Sequence, residues 1–212
     1  MKRIAFYGGS FDPVHNGHIK IAQKLVNLFE LDEFVFVPAF HAPHKKDKKP
    51  TSAFQRYAML CLATKDEGKI GVSKVELDLP SKPYTIETLT KLKTALPKQK
   101  IFFVMGADSW QEITTWKEWE KVLTVVNIIV VTRPPIGIEF SHVTPEIQER
   151  IVDLRGKMNF ELSDEDKIYI TDAVSLDISS TEIRNKIREQ TTGWRDNVPF
   201  EVANYIEKYK IY

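Results

Sequence analysis

Six apolar runs of strand length, Ile4–Tyr7, Phe34–Pro38, Gly71–Leu77, Ile101–Met105, Ile128–Thr132 and Lys167–Thr171, alternate with stretches of helical periodicity. That alternation restricts the chain to an α/β arrangement in which a parallel sheet is joined by crossover helices. Ile101-Phe102-Phe103-Val104-Met105 and Ile128-Ile129-Val130-Val131 carry no polar residue, so helices are expected on both faces of the sheet. No internal repeat occurs and no linker divides the 212 residues, a length that suits one core. Residues 1–212 are therefore read as a single domain, with 177–212 as its C-terminal helical part.

In a sheet of this kind ligands bind beyond the carboxyl ends of the strands. The segments just after the apolar runs are Gly8 to His18, Phe40 to Lys46, Pro83 to Glu87, Gly106-Ala107-Asp108 and Arg133-Pro134-Pro135. The first is the richest. Gly8 and Gly9 let the backbone turn sharply and approach a ligand, Pro13 stiffens the loop, and Asn16-Gly17 lead into a helix with the apolar face Ile19, Ala22, Leu25, Val26 and Phe29. The N–H groups at that helix start face whatever the loop encloses. His15 and His18 add two side-chain donors, a set suited to an anion with several oxygens. Further along, Asp177-Ile178-Ser179-Ser180-Thr181-Glu182-Ile183-Arg184 opens a second helix and sets Arg184 within a turn of its start, another anion site. Taken alone, Ser-Ser-Thr followed by Glu182 is also an ordinary capping box.

Phosphate affinity has to be local, because 30 Lys and Arg against 29 Asp and Glu leave a formal charge of +1. No overall field would hold the chain on nucleic acid or a membrane, so small-molecule partners are expected. The basic run Lys45–Lys49 reads for the most part as a solvated loop, and it and Arg133–Thr144 are the expected mobile loops. One cysteine, Cys61 in the apolar helical run Tyr57 to Ala63, cannot form an internal disulfide. The apolar run after Met1-Lys2-Arg3 is too short for a signal peptide or a membrane span, and the expected setting is cytoplasmic. His15, His18 and Asp12 would hold zinc only with further ligands, and His41 and His44 have no thiolate near them, so no protein-held metal is expected.

Gly9, Phe11, Pro13, His15, Gly17 and His18 match G-x-F-x-P-x-H-x-G-H, so the loop resembles the signature of the nucleotidyltransferase superfamily, which implies a Rossmann-like sheet. Ile178 to Arg184 matches the I-S-S-T-x-I-R motif that closes over the ATP triphosphate in that superfamily. Several further segments resemble the nicotinate-nucleotide adenylyltransferase family. These are Gly9–Pro13; His44-Lys45 with Ser52, Arg56 and Met59-Leu60; Pro83-Tyr84-Thr85-Ile86-Glu87-Thr88-Leu89; and Gly106-Ala107-Asp108 followed by Trp116-Lys117. Pro83 stands for a serine, Glu87 for an aspartate, and Pro135 for the glycine of R-P-G.

The resemblance implies attack by the 5′-phosphate of nicotinate mononucleotide on the α-phosphorus of ATP. The attacking phosphate, with a second pKa of about 6, is already ionised at neutral pH, so alignment and donors matter rather than a general base. It further implies His18 at the α-phosphate with His15 in support, Lys45 over the reacting phosphates, Arg184 with Ser180 and Thr181 on the β- and γ-phosphates, and Ser179 in the ATP site. Gly8, Gly9, Ser10, Phe11, Gly17 and Gly106 would line the ATP site, with Asp108 on a ribose hydroxyl or the adenine or else a buried acidic helix cap. Ser10, Phe11, Lys45, Tyr84, Thr85, Trp116, Lys117 and Arg133 would meet the nicotinate nucleotide, Trp116 stacking on the pyridine and amides near Trp116 and Lys117 receiving its carboxylate. Trp110 and Trp119 belong to the core or share that task. Arg56 is left between a phosphate ligand and a partner for a surface carboxylate. Mg²⁺ is expected on the substrate phosphates. An acceptor of nicotinamide or phosphopantetheine type, an ATP sensor without turnover and a homo-oligomer remain open.

Overall fold

The computed structural model describes residues 1–40, 51–78, 83–132, 137–157, 160–174 and 178–212. Lys45, His41, His44, the rest of Lys45–Lys49, Arg133-Pro134-Pro135 and Asp177 lie outside the described residues. Seven parallel strands form the sheet: β1 (Arg3–Gly9), β2 (Glu33–Pro38), β3 (Ile70–Val72), β4 (Lys100–Gly106), β5 (Asn127–Val131), β6 (Ile151–Asp153) and β7 (Ile168–Thr171), in the order β3-β2-β1-β4-β5-β7-β6.

Strand period two sorts the apolar residues into two cores. Ala5, Tyr7, Phe34, Phe36, Phe102, Val104, Ile129, Val131 and Tyr169 point to one face. Ile4, Phe6, Val35, Val37, Ile101, Phe103, Met105, Ile128, Val130, Ile168 and Ile170 point to the other. The first face is covered by α1 (Asn16–Leu28), α2 (Ala53–Ala63), α7 (Ser180–Arg188) and α8 (Phe200–Tyr209), through residues such as Leu25, Leu60, Ile183 and Ile206. The second is covered by α3 (Thr85–Ala95), α4 (Ala107–Gln111), α5 (Trp119–Val125) and α6 (Pro145–Gln148), through Leu89, Trp110, Leu123 and Ile147. The sheet is thus buried on both sides, as its polar-free strands require.

Two strands differ from the sequence expectation. The run Gly71–Leu77 pairs only as far as Val72, because the Ser73 hydroxyl accepts the Val75 N–H at 3.2 Å and turns the chain out of the sheet. β6 was not expected, since its three half-buried residues on the edge beyond β7 offer too short an apolar run to read. The described part of Arg133–Thr144, expected to be mobile, packs against α4. The Trp110 indole N–H donates to the Glu139 carbonyl at 2.9 Å, His142 Nε2 lies 2.9 Å from the Trp110 carbonyl, and Ile138 and Val143 are buried.

The strand order reverses between β1 and β4, the neighbours from which the chain winds outward in opposite directions. At such a reversal the connections diverge and leave a crevice at the carboxyl edge. α1, α3 and α7 each follow a strand and start at that edge, bringing their N-termini to one end of the molecule.

Candidate functional site

Tyr7 of β1, His15 and Gly17 at the start of α1, Gly106 at the end of β4, Val131 at the end of β5, and Ile178 before α7 line a cleft over the strand reversal. The loop from β1 to α1 is held tightly around it. Phe11 has left-handed backbone (φ 49°) and its ring is buried edge-on against Tyr7, Phe36 and His18, with centroids 5.3, 5.2 and 5.0 Å away. Its ring therefore belongs to the core, and its main chain is what remains for a ligand. The turn expected at Gly8 and Gly9 falls instead on Phe11: both glycines lie within β1 and neither has a positive φ. Their lack of a side chain serves close packing, since a Cβ on Gly9 would stand 2.7 Å from the Phe11 ring and one on Gly8 3.1 Å from Phe103.

His15 and His18 are both buried, and their rings stack with centroids 3.6 Å apart at 25°. The His15 backbone N–H donates to Nδ1 of His18 at 3.2 Å. A backbone N–H only donates, so Nδ1 of His18 accepts and the ring proton sits on Nε2, leaving a donor on the far side of the ring. Gly17 leaves room for the His15 ring, because a Cβ at that position would come within 2.9 Å of His15 Nδ1 and push the ring aside.

The second motif closes on the first. Ser180 Oγ donates to the Pro13 carbonyl at 2.9 Å, and Arg184 Nη1 donates to the Asp12 carbonyl at 2.5 Å while its Nη2 donates to Thr181 Oγ1 at 3.0 Å. The capping-box alternative does not hold: Ser179 is the N-cap of α7 with no side-chain cap bond, and Glu182 pairs with Lys186 at 2.7 Å. Ser179, Ser180, Thr181 and Arg184 are thus gathered beside the β1–α1 loop, at the positively polarised start of a helix.

Arg56 is neither of the two things expected of it. It is 1% exposed, and its guanidinium donates to four carbonyls: Ser10 at 2.6 Å, Ala39 at 2.5 Å, Phe40 at 3.3 Å and Thr51 at 3.1 Å. Burial pushes its pKa below the ordinary arginine value, and the nearby Asp12 carboxylate pulls in the opposite direction. Arg56 therefore staples the segments that follow β1 and β2 to α2.

A second group of residues sits at the start of α3. Glu87 takes the Tyr84 N–H at 3.2 Å and pairs with Lys117 at 3.2 Å, and the Lys117 ammonium lies 4.2 Å from the Tyr84 ring centroid. The Lys117 hydrogen bond, followed by that from Tyr84, holds the Glu87 carboxyl below its usual range. Tyr84, Thr85 and Lys117 are so brought together, with the half-buried Trp116 adjoining Lys117. The Trp116 amide donates to the Ile113 carbonyl at 2.9 Å and is spent, which removes it from the amides expected to receive a carboxylate. Trp110 is fully buried and is a core residue. Asp108 is exposed in the first turn of α4, which excludes the buried-cap alternative.

Sequence reasoning missed Tyr212 and Asn16. Tyr212 donates from its hydroxyl to Asp12 Oδ1 at 2.6 Å, and the Asn16 amide donates to the Asp196 carbonyl at 2.9 Å. These contacts join residues far apart in the chain and carry no local pattern.

Residues 6–186 match the family model described as cytidylyltransferase-like. A Clostridium tetani protein described as a probable nicotinate-nucleotide adenylyltransferase is 35% identical over 212 residues, covering 100% of both chains. One of the same description from Thermus thermophilus is 35% identical over 210 residues, 99% of each chain. The solved Plasmodium falciparum nicotinic acid mononucleotide adenylyltransferase complexed with NaAD superposes with a TM-score of 0.76 at 22% identity, over 100% of this chain and 97% of that one, and so shares the fold.

Proposed function

The chain belongs to the cytidylyltransferase-like family, on its nicotinate-nucleotide adenylyltransferase branch, and from that premise we infer that it transfers the AMP part of ATP to nicotinate mononucleotide. The products are the deamido dinucleotide and pyrophosphate, a step in NAD biosynthesis. The observation that carries the reading is the junction in which Ser180 and Arg184 grip the Pro13 and Asp12 carbonyls beside the stacked His15 and His18. It supports one anion-binding crevice shared by the two motifs.

In this reading the phosphate of the acceptor attacks the α-phosphorus in line with departing pyrophosphate. The bond formed is P–O to the acceptor, the bond broken is P–O to the β-phosphate, and no proton is taken from the nucleophile. The chain's task is to align two anions and to stabilise the charge that builds on the α-phosphate oxygens. Nε2–H of His18 donates to those oxygens, with His15 supporting the ring by stacking. Arg184, Ser180 and Thr181 take the β- and γ-phosphates at the start of α7. Mg²⁺ enters as part of the ATP substrate and neutralises phosphate charge. Among the described residues no group of three His, Cys, Asp or Glu side chains is placed to hold an ion. Trp116 and Thr85 are assigned to the pyridine end, and these roles, like those of Lys45 and Arg133, rest on the family resemblance. Among the described residues no helix is long and apolar enough to cross a membrane. A cytoplasmic setting goes with the supply of ATP.

Pyrophosphate release with ATP plus nicotinate mononucleotide, nicotinamide mononucleotide or phosphopantetheine tests the assignment. The nicotinate acceptor is expected to give the highest kcat/KM, and His18→Ala is expected to lower kcat about 10²–10³-fold with a smaller effect on ATP affinity, the size expected for one lost transition-state donor. No turnover with any acceptor, or full activity in His18→Ala, overturns it.

A further inference from the structure

Asp12 is a carboxylate only 7% exposed, inside the loop whose main chain the second motif grips. Its Oδ1 accepts the Tyr212 hydroxyl at 2.6 Å, a contact spanning 200 residues. Both ends of that contact sit on uncommon backbone. Phe11 before Asp12 has φ 49°, and beyond α8 Lys210 (φ 49°) and Tyr212 (φ 88°) are also in the left-handed region, which non-glycine residues occupy at some cost. Ile211 between them is buried, and its N–H donates to the Ile206 carbonyl at 3.0 Å, fixing the direction in which the chain doubles back. Among the described residues the guanidiniums of Arg56 and Arg184 lie near this contact, and the Thr51 side chain also hydrogen-bonds Tyr212.

We propose that Tyr212 is a positioning residue for the triphosphate site, acting through Asp12 on the placement of Arg184 and Ser180; the proposal rests on the adenylyl-transfer reading above. The physical chain is short. The Asp12 carboxylate, out of water, needs its donor; the Tyr212 hydroxyl supplies it and fixes the Asp12–Pro13 segment. Arg184 and Ser180 then grip the two carbonyls of that fixed segment, at 2.5 and 2.9 Å, and are held at the height where the β- and γ-phosphates lie in that reading. Removing the hydroxyl lets the segment move, and the two donors move with it. Tyr212 touches no substrate in this arrangement. Burial, with the Asp12 charge adding to it, raises the phenol pKa well above its ordinary value, so the donor persists through the neutral and mildly alkaline range.

The test is Tyr212→Phe in the full chain, with steady-state kinetics for each substrate and calorimetric binding of a non-hydrolysable ATP analogue. KM for ATP and the analogue Kd are expected to rise about tenfold, the scale of one hydrogen bond to a charged acceptor, with KM for nicotinate mononucleotide changed by less than about twofold. Arg184→Lys is the second variant. Its effect on ATP binding and that of Tyr212→Phe are expected to be non-additive, because both act through one link. Unchanged ATP binding in Tyr212→Phe, an equal rise in both KM values, or additive effects with Arg184→Lys overturn the proposal. A parent chain that binds the ATP analogue yet makes no dinucleotide would sink the functional reading instead, while the comparison of analogue binding would still decide the role of Tyr212.

Discussion

Replacing Arg56 with methionine tests whether the buried guanidinium is a structural staple or a ligand group. Methionine keeps the unbranched apolar stem and ends where the guanidinium begins, so the change removes the hydrogen bonds while retaining most of the stem packing. Arg56 satisfies carbonyls on Ser10, Ala39, Phe40 and Thr51, three of them within 3.1 Å. A buried carbonyl left without a donor costs about 1–3 kcal/mol, and water can reach some of these loop carbonyls once the guanidinium is gone, so a net loss of about 3–5 kcal/mol is expected. Relief of the desolvated charge offsets part of the cost and is why the upper end is not exceeded. For a domain of this size each kcal/mol moves Tm by about 2–4 °C, which places the expected drop near 10 °C. Thermal unfolding followed by circular dichroism, with and without ATP, measures it. Saturating ATP should stabilise parent and variant by similar amounts, since the guanidinium is occupied by main-chain oxygens. A Tm within about 2 °C of the parent, combined with loss of the ATP-induced shift, would refute the staple and restore a phosphate-binding role.

Gly17→Ala is expected to displace the His15 ring, because the added Cβ would stand 2.9 Å from Nδ1; kcat should fall at least about tenfold while Tm moves by less than a few degrees. Trp110→Ala, at a fully buried site, is expected to cost about 3–5 kcal/mol in denaturant titration. Trp116→Ala should instead raise KM for the nicotinate acceptor with a much smaller loss of stability. Excess chelator is expected to abolish turnover and added Mg²⁺ to restore it, with the Tm of the ligand-free chain unaltered; a large Tm shift on chelation would show a metal held by the protein itself. Glu87 pairs with Lys117 only while ionised, and its pKa lies below the ordinary carboxylate value. The link is therefore intact from neutral pH down past the ordinary carboxylate value and is lost only on further acidification, so the pH profile of the acceptor KM above about pH 5 is expected to have the same shape in the parent and in Glu87→Gln; an acid-side step in that range that Glu87→Gln removes would refute the lowered value.

Five strands could be read directly because their side chains are apolar on both faces. β1, β2, β4, β5 and β7 are interior strands, and their only buried polar side chains, Asn127 and Thr171, stand at strand ends. β3 was overextended because the turn after Val72 is made by a single serine hydroxyl. β6 was invisible because an edge strand of three half-buried residues carries almost no pattern. Within the site, the histidine loop and the Ser-Ser-Thr run were legible since glycines, prolines and helix-start residues crowd there without a packing reason. Their junction was not, because Ser180 and Arg184 bind carbonyls, and a carbonyl has no sequence signature. Arg56 was misread for a related reason: arginine is almost never fully buried, so a surface or ligand role is the natural expectation until its partners are seen. Tyr212 lies beyond any motif, and only the return of the chain after Lys210 brings it to Asp12.

The grip of α7 on the Asp12 and Pro13 carbonyls joins residues 167 and 172 positions apart. Contacts of such separation form late, since the loop they close must first be organised by everything between. A nascent chain can therefore own a finished sheet and still have no nucleotide cradle. If nucleotide bridges both sides of that clasp, as the proposed function has it, its binding would favour molecules whose closing helix has already docked and so stabilise the complete fold by mass action.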